Sequence, residues 1–411
     1  MRLPTQTATL NGNDYRVTVE IERVTAGPPP PPPPPPASGY TVKAGEIYDA
    51  GEKTQFRGMN HHGFNAWDVL RPTMLWDMAW KPQITIMRDD IGANAIRLPI
   101  VPDTLYSTRK MGEKGFSFLK LPENQDLVGK TPLQVLDLWM EEADRQGMYI
   151  VIDIHSVSGR NLYFHPYVTD PNDYGAGQWI ETWNRQPYTK DHWLRDLAFV
   201  ADRYKTLRKF AAVDIFNEPH DRIRWMPTAD PLIAGWKPLA EAASKVILAA
   251  NPKLLVFVEG IGPNWDGRED PKMPINWGES FQPQAYLPLD IPADKLVLSP
   301  HSYGPDVSYE PEFDAPYYPH NLAKNWEILF GKFHPQFTVI PGEWGGRYGQ
   351  GGIGRKDVEW QDAFVDYMRS KKMTSSFYWA LLNSQDTGDM FDAQGKLRPD
   401  KVALLNKHWS V

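Results

Sequence analysis

Thr131-Pro-Leu-Gln-Val-Leu-Asp-Leu-Trp-Met-Glu-Glu-Ala-Asp-Arg-Gln-Gly147 runs through Met148 into Tyr149-Ile-Val-Ile-Asp153, and this passage decides the fold. Its first part predicts a helix. Thr131 is an N-cap residue, Pro132 takes the first helical position, Leu133, Leu136, Met140 and Ala143 recur at helical spacing, and Gly147 ends the segment. Its second part is a near-continuous apolar run, as expected of a strand buried on both faces. A helix feeding directly into such a strand is one unit of a parallel sheet.

Outward from this passage the unit recurs. Strand-like runs are expected at Gln55 to Asn60, Asn94 to Pro99, Tyr149 to His155, Val213 to Asn217, Leu254 to Glu259, Leu296 to His301, Phe337 to Ile340 and Ser375 to Ala380, eight in all, each following a helix-like segment. His192 to Lys205 places Leu194, Leu197, Val200, Ala201 and Tyr204 on one face; further helices are expected at 232–250, 321–332 and 357–372, with Val402 to Leu405 opening a closing one. Eight alternations predict an α/β fold, a (β/α)8 TIM barrel, over residues 40–411. Residues 1–27 alternate loosely, as in Tyr15-Arg-Val-Thr-Val-Glu-Ile-Glu22, and read as one or two short strands that cannot bury a core alone. Residues 28–39 form a linker: Pro28 to Pro36 is an unbroken proline run, stiff and extended over about 28 Å. It is a spacer or a docking segment for a proline-binding module. Residues 1–27 are then read as a remnant of an accessory module.

The ends of the eight runs carry Asn60-His61-His62, Arg97, His155, Asn217-Glu218, Glu259, His301 with Tyr303, Glu343 and Trp379. In a parallel barrel these ends open on one face, where active sites form. Val213-Asp-Ile-Phe-Asn-Glu-Pro219 delivers Asn217 and Glu218 and is stopped by a proline that cannot extend the ladder. Phe337-Thr-Val-Ile-Pro-Gly-Glu343-Trp-Gly-Gly346 delivers Glu343 beside an aromatic ring and flexible glycines. Either glutamate alone is more often a cap or a surface ion-pair partner; agreement among the strand ends is what points to paired carboxylates. Two facing glutamates are the minimum equipment of a retaining glycosidase. On that reading Glu218 is the acid/base, which requires a pKa raised by partial burial and neighbouring negative charge. Glu343 is the nucleophile, kept ionised by Arg97. Tyr303 donates to the same carboxylate, Asn217 holds the sugar 2-hydroxyl, His155 and His301 orient the site, and Trp379 forms its floor. Histidines serve equally as core residues, and core packing is the rival reading for Trp379.

Asn217-Glu218-Pro219, Arg97-Leu-Pro99, Asp153-Ile-His155, His301-Ser-Tyr303, Glu343-Trp-Gly345 and Tyr378-Trp379 together resemble glycoside hydrolase family 5, the clan A cellulases, from Gln55 to Asp386. Asn-Glu-Pro alone is shared among several clan A families; the ordered set is more specific. The resemblance implies a (β/α)8 barrel and a retaining double displacement, with Glu218 as acid/base and Glu343 as nucleophile. It also implies Arg97, His155, Asn217, His301, Tyr303 and Trp379 as the supporting site. Asn383-Ser-Gln-Asp-Thr-Gly388 is similar to a loop of bacterial endoglucanases of the family. Ser156-Val-Ser-Gly159 departs from the family's usual continuation after the third strand, and His61-His62 has no assigned role.

Composition narrows the partners. The 411-residue chain carries a net charge of −7, which argues against nucleic acid and anionic membranes. It holds 16 Trp, 18 Tyr and 17 Phe, more rings than core packing usually needs. Flat apolar sugar faces stack on such rings. Trp67, Trp179, Trp183, Trp265, Trp277 and Trp344 follow strand ends, and Trp265 and Trp344 are the preferred substrate platforms. No cysteine is present, which excludes disulfides, thiolate metal sites and cysteine nucleophiles. No apolar run approaches the ~20 residues of a membrane helix. Met1-Arg-Leu-Pro-Thr-Gln-Thr7 lacks an apolar signal core, as expected of an intracellular protein or of a processed or truncated form. Gly349-Gln-Gly-Gly-Ile-Gly354 matches the dinucleotide-loop spacing but does not join a first strand to a helix, and reads as a flexible loop beside Glu343.

The expectation is a retaining endo-β-1,4-glucanase, monomeric, needing no cofactor or metal, and secreted because its polymeric β-glucan substrate cannot enter a cell. A β-mannanase or xyloglucanase on the same scaffold, or a non-hydrolytic carbohydrate-binding barrel, are the alternatives. Retention of both glutamates argues against the last, and no lysine or metal set at the strand ends suggests an aldolase or isomerase.

Overall fold

In the computed structural model the Thr131–Asp153 passage forms a capped helix and a buried strand. Thr131 Oγ1 accepts the Gln134 N–H at 3.4 Å while Gln134 Oε1 accepts the Thr131 N–H at 3.0 Å, a reciprocal cap. Helix Pro132–Arg145 then buries Val135, Leu136, Trp139, Met140 and Ala143; burying a side chain the size of Val135, Leu136 or Met140 stabilises by about 1.5–3 kcal/mol. Gly147, at φ +79°, ends it in the left-handed conformation that glycine adopts without a Cβ clash. Every residue of the strand Tyr149–Ile154 is buried.

The structure describes residues 6–10, 13–17, 39–66, 70–113, 121–156, 188–220, 223–229, 233–263, 275–350, 354–382 and 387–410. Two compact units are present, Met1–Ala37 and Ser38–Val411. In the first, Gln6–Leu10 pairs antiparallel with Asn13–Val17, earlier in the chain than the strand expected from Tyr15. The proline run lies outside the described residues.

The second unit is the expected barrel. Its strands are β1 (Arg57–Asn60), β2 (Ala95–Ile100), β3 (Tyr149–Ile154), β4 (Phe210–Asp214), β5 (Leu255–Val258), β6 (Leu296–Leu298), β7 (Thr338–Val339) and β8 (Ser376–Tyr378). They form one parallel sheet in the order β7-β6-β5-β4-β3-β2-β1-β8. The cylinder closes just past β7, where the Phe377 N–H donates to Pro341 O and the Trp379 N–H to Trp344 O, both at 2.8 Å. Around it lie α1 (Trp80–Ile86), α2 (Pro132–Arg145), α3 (Lys190–Arg203), α4 (Trp236–Ala250), α5 (Leu322–Leu329), α6 (Arg355–Ser370) and α7 (Pro399–Trp409). One expectation fails here. Between β5 and β6 the described residues hold only a short 3₁₀ turn, Gln282–Ala285, so that strand pair is not joined through a described α-helix.

Alternation along the strands builds two apolar layers. Ile96, Leu98, Ile150, Ile152, Val256 and Val258 join the helices in the larger cluster. Ala95, Val151, Ala212, Phe257, Val297 and Phe377 form a separate cluster inside the barrel. Tyr40, Val42 and Ile47 complete that inner cluster. They come from an antiparallel sheet, Tyr40–Lys43, Glu46–Asp49 and Glu52–Thr54, which the strand count from sequence did not include. Its Tyr40 N–H donates to Lys253 O and its Val42 N–H to Asp294 O, just before β5 and β6, so it caps the N-terminal end of the barrel.

Candidate active site

Two residues above the inner apolar layer, the same strand faces turn ionic: Ala95 is followed by Arg97, Val151 by Asp153, Ala212 by Asp214 and Phe257 by Glu259. Arg97 is fully buried, and its guanidinium gathers the strand ends. Nε donates to Asp214 Oδ2 at 2.9 Å; Nη1 donates to Glu343 Oε1 at 2.5 Å and Asn60 Oδ1 at 3.2 Å. Nη2 donates to Asn217 Oδ1 at 3.0 Å and Glu259 Oε1 at 3.1 Å, and lies 3.2 Å from Asp153 Oδ2. A planar fork of five N–H donors can serve this many acceptors; an ammonium group cannot.

One guanidinium cannot offset so many buried carboxylates, and the charge settles unevenly. Burial pushes the Asp214 carboxyl up to about 7, with Arg97 opposing and Asp153 reinforcing. Burial likewise drives Glu259 well above the carboxylate range, against the pull of His301. Glu343 goes the other way: burial would raise it, but His301, Arg97, His155 and the Tyr303 hydroxyl together hold it below its ordinary value. Tyr303 donates to Glu343 Oε2 at 2.8 Å. His301 is lifted well above its usual pKa, because Glu259, Glu343 and Glu218 outweigh the effect of burial. Its Nδ1 lies 3.1 Å from Glu218 Oε1 and 3.6 Å from Glu343 Oε2, and its Nε2 lies 3.1 Å from Glu259 Oε1. Gly342 permits this approach, since a Cβ there would stand 2.9 Å from His301 Nε2.

Glu218 does not end the strand as the sequence suggested. β4 stops at Asp214; the Asn217 N–H still donates to Ile154 O at 3.0 Å, and the backbone then turns at Glu218 to φ +50°. That conformation is unfavourable for a residue with a Cβ and persists only where the surroundings impose it. Here the Glu218 N–H donates to Glu259 Oε2 at 2.7 Å, and Pro219 O accepts the Gly262 N–H at 2.6 Å. The Glu218 side chain is 19% exposed and that of Glu343 5%, so water reaches the first more readily. Oxygen atoms of Glu218 and Glu343 and a ring nitrogen of His301 lie within 4.8 Å of one another.

The Trp379 ring, half-buried, lies nearly parallel to those of His155 and His62, each with its centroid 5.6 Å away. His155 Nδ1 is 2.7 Å from Asp153 Oδ2, and His62 Nε2 is 2.7 Å from Leu382 O. His62 therefore flanks Trp379, a place that the sequence did not reveal. His61 points into the core, its ring centroid 4.4 Å from that of Trp139, and burial lowers its pKa to about 4.

Trp344 is a correction. It is fully buried, edge-on to Tyr378, with its Nε1 donating to Ser376 Oγ at 3.0 Å, so it presents no face to a sugar. Trp265, Trp67, Trp179 and Trp183 lie outside the described residues, as do parts of the 156–159, 349–354 and 383–388 segments. Trp277 is 39% exposed and stacks on His220 at 3.9 Å with rings 2° from parallel. Sequence reasoning noted Glu259 at a strand end without a role and passed over Asp214; their shared parity with Phe257 and Ala212 was the available signal. Asp214, Glu259 and His301 form a second group with donor atoms within 4.8 Å of one another, a spacing a cation accepts, but the buried Arg97 already supplies positive charge to both acids.

A family model for cellulase (glycosyl hydrolase family 5) matches residues 47–385. The chain is 37% identical over 371 residues to the major extracellular endoglucanase of Xanthomonas campestris pv. campestris, covering 89% of this chain and 70% of that protein. It is 30% identical over 360 residues to an endoglucanase of Paenibacillus polymyxa, covering 85% and 82%. The solved catalytic domain of the Xanthomonas campestris major endoglucanase superposes with a TM-score of 0.78 at 35% identity, covering 90% of this chain and all of that one. An endocellulase from Pyrococcus horikoshii in complex with cellotetraose gives a TM-score of 0.76 at 26% identity, covering 90% and 98%. No described helix is long and apolar enough to cross a membrane.

Proposed function

This chain belongs to glycosyl hydrolase family 5, and from that premise we propose that it is an endo-β-1,4-glucanase cleaving internal bonds of cellulose and related β-glucans with retention. The observation that carries the stereochemistry is the approach of Glu218 and Glu343 oxygens to within 4.8 Å of each other. Carboxyl groups about 5–5.5 Å apart leave no room for an intervening water and make one of them a nucleophile. Glu343, held ionised by Arg97, His301 and Tyr303, attacks the anomeric carbon. Glu218 gives its proton to the departing glycosidic oxygen. In the second half, Glu218 takes a proton from water as that water attacks the same carbon and Glu343 leaves. Asn217 accepts from Arg97 through Oδ1, which directs its amide NH₂ as the donor for the 2-hydroxyl. Trp379, with His155 and His62 alongside, lies under the sugar at the cleavage point.

Action as a monomer is part of this proposal. An insoluble polymer must be met outside the cell, and the Xanthomonas relative is described as extracellular; we infer secretion on those grounds. The proline run is proposed as the spacer between the barrel and an accessory module.

The test is hydrolysis of carboxymethylcellulose and galactomannan by the wild type, Glu218→Gln and Glu343→Gln. Both variants are expected to lose about 10²-fold or more on carboxymethylcellulose. With azide and an activated aryl cellobioside, Glu218→Gln should release the β-glycosyl azide, by capture of the glycosyl enzyme, and Glu343→Gln the α-azide, by direct attack. A Glu343→Gln enzyme retaining the wild-type rate removes the nucleophile assignment; cleavage of galactomannan alone moves the substrate to mannan.

A further inference from the structure

Glu279 is buried on the β5–β6 connection, outside the Arg97 cluster, and its carboxylate joins two pieces of backbone that both end on Glu218. Oε2 accepts the Asn276 N–H at 2.7 Å and the Asn276 side-chain amide at 3.2 Å, closing the Asn276–Glu279 turn on itself. Oε1 accepts the Ser302 hydroxyl at 2.8 Å, across to the residue after His301.

Through the turn, the path to Glu218 is steric. Gly278, at φ +71°, lies so close to Glu259 that a Cβ would stand 2.3 Å from its Oε2, the atom that accepts the Glu218 N–H. The same Cβ would be 3.4 Å from the Glu218 Cα, and the Gly260 N–H donates to Gly278 O at 2.9 Å. Through Ser302, the path is by hydrogen bond: the next residue back, His301, meets Glu218 Oε1 with its Nδ1, while the Ser302 N–H holds Glu343 O at 3.1 Å. One carboxylate thus braces both the backbone and the side chain of a residue kept at φ +50°. A water-sized cavity of about 10 Å³ beside it is lined by polar residues, Asn276, Ser302 and Asn325 among them, and by apolar ones, Phe313, Trp326 and Trp360 among them, so the brace has little slack.

We propose that Glu279 is the positioning residue that aims Glu218 at the glycosidic oxygen. The proposal rests on the acid/base reading of Glu218. It makes a demand that general structural support does not. Proton donation matters for a sugar leaving group and hardly at all for dinitrophenolate, which departs without it. Misaiming the acid should therefore lower kcat/KM, which reports the leaving-group step, on a polysaccharide and spare it on the aryl glycoside.

The experiment compares kcat/KM, which reports the glycosylation step alone, on carboxymethylcellulose and on 2,4-dinitrophenyl cellobioside for the wild type, Glu279→Leu, Glu279→Gln and Ser302→Ala. Glu279→Leu is expected to lose about 10- to 100-fold on the polysaccharide and no more than about 3-fold on the aryl glycoside. Gln can accept from Asn276 and donate to the Ser302 hydroxyl, so it should restore the polysaccharide rate to within about 3-fold. Ser302→Ala, which breaks one link and leaves the turn intact, should show the same substrate split at smaller size, so an unfolded Leu variant does not rescue the idea. Equal losses on the two substrates, or wild-type rates in both Leu and Ala variants, overturn it. A wild type inactive on every β-glucan would instead remove the proposed function, and is distinguished by needing no variant.

Discussion

The two ends of the barrel are built from the same strands and do opposite things. At the N-terminal end Ala95, Val151, Ala212, Phe257, Val297 and Phe377 close an apolar plug against Tyr40, Val42 and Ile47. Two residues further along, the same inward faces carry Arg97, Asp153, Asp214 and Glu259 around a buried network. Stability is supplied below, where burial is unopposed; above, charges are held out of water at a cost, at the end of the barrel where the proposed reaction takes place. The difference teaches that the geometry of the ionic layer is set by one cation shared among strands, whereas the plug needs only volume and hydrophobicity.

Four substitutions break or sharpen that contrast. Arg97→Ala strips the positive charge from Asp153, Asp214, Glu259 and Glu343, and a stranded buried charge costs about 3–5 kcal/mol. Denaturant unfolding should show that loss together with loss of hydrolysis; a stable, active variant would end the claim that Arg97 organises the upper layer. Phe377→Ala opens a cavity in the plug at about 3–4 kcal/mol but should leave kcat per folded molecule unchanged, and a parallel fall in kcat would show that the two ends are not separate.

Tyr303→Phe removes a donor to ionised Glu343, an interaction worth about 1.5–3 kcal/mol when one partner is charged. Since the bond favours the carboxylate, its loss raises the Glu343 pKa, and the acid limb of the kcat/KM profile should move to higher pH; an unmoved limb contradicts the geometry. Glu279→Gln gives the smallest effect. Burial lifts this carboxyl from 4.5 to about 7, so between those values it holds its proton in the folded protein and loses it in the unfolded chain. Its contribution to stability is full below about 4.5 and declines as pH rises to about 7. Urea midpoints across that window should fall less steeply with pH in the Gln variant than in the wild type.

The sequence was most legible where period and punctuation coincide. α2, with its Thr131 cap, Pro132 and Gly147, and the strand behind it stand where they were read, because caps and apolar period are local properties. β4 was placed three residues late, since Ile215 and Phe216 are as apolar as the strand proper and only the φ +50° turn at Glu218 reveals the departure. The sheet over Tyr40–Thr54 escaped notice because strands of three or four residues carry little alternation. Trp344 was mistaken for a platform because adjacency to Glu343 in sequence says nothing about which way a ring turns.

By itself, then, the sequence determined the barrel and the polar residues gathered near its strand ends, because each follows from residue type at a recurring spacing. Only the tertiary structure decided that Arg97 gathers acids from four strand ends, that His62 joins His155 beside Trp379, and that Glu279 links the turn at Gly278 to Ser302. Those contacts join residues far apart in the chain, and their geometry is fixed by the closure and stagger of the barrel rather than by any local pattern.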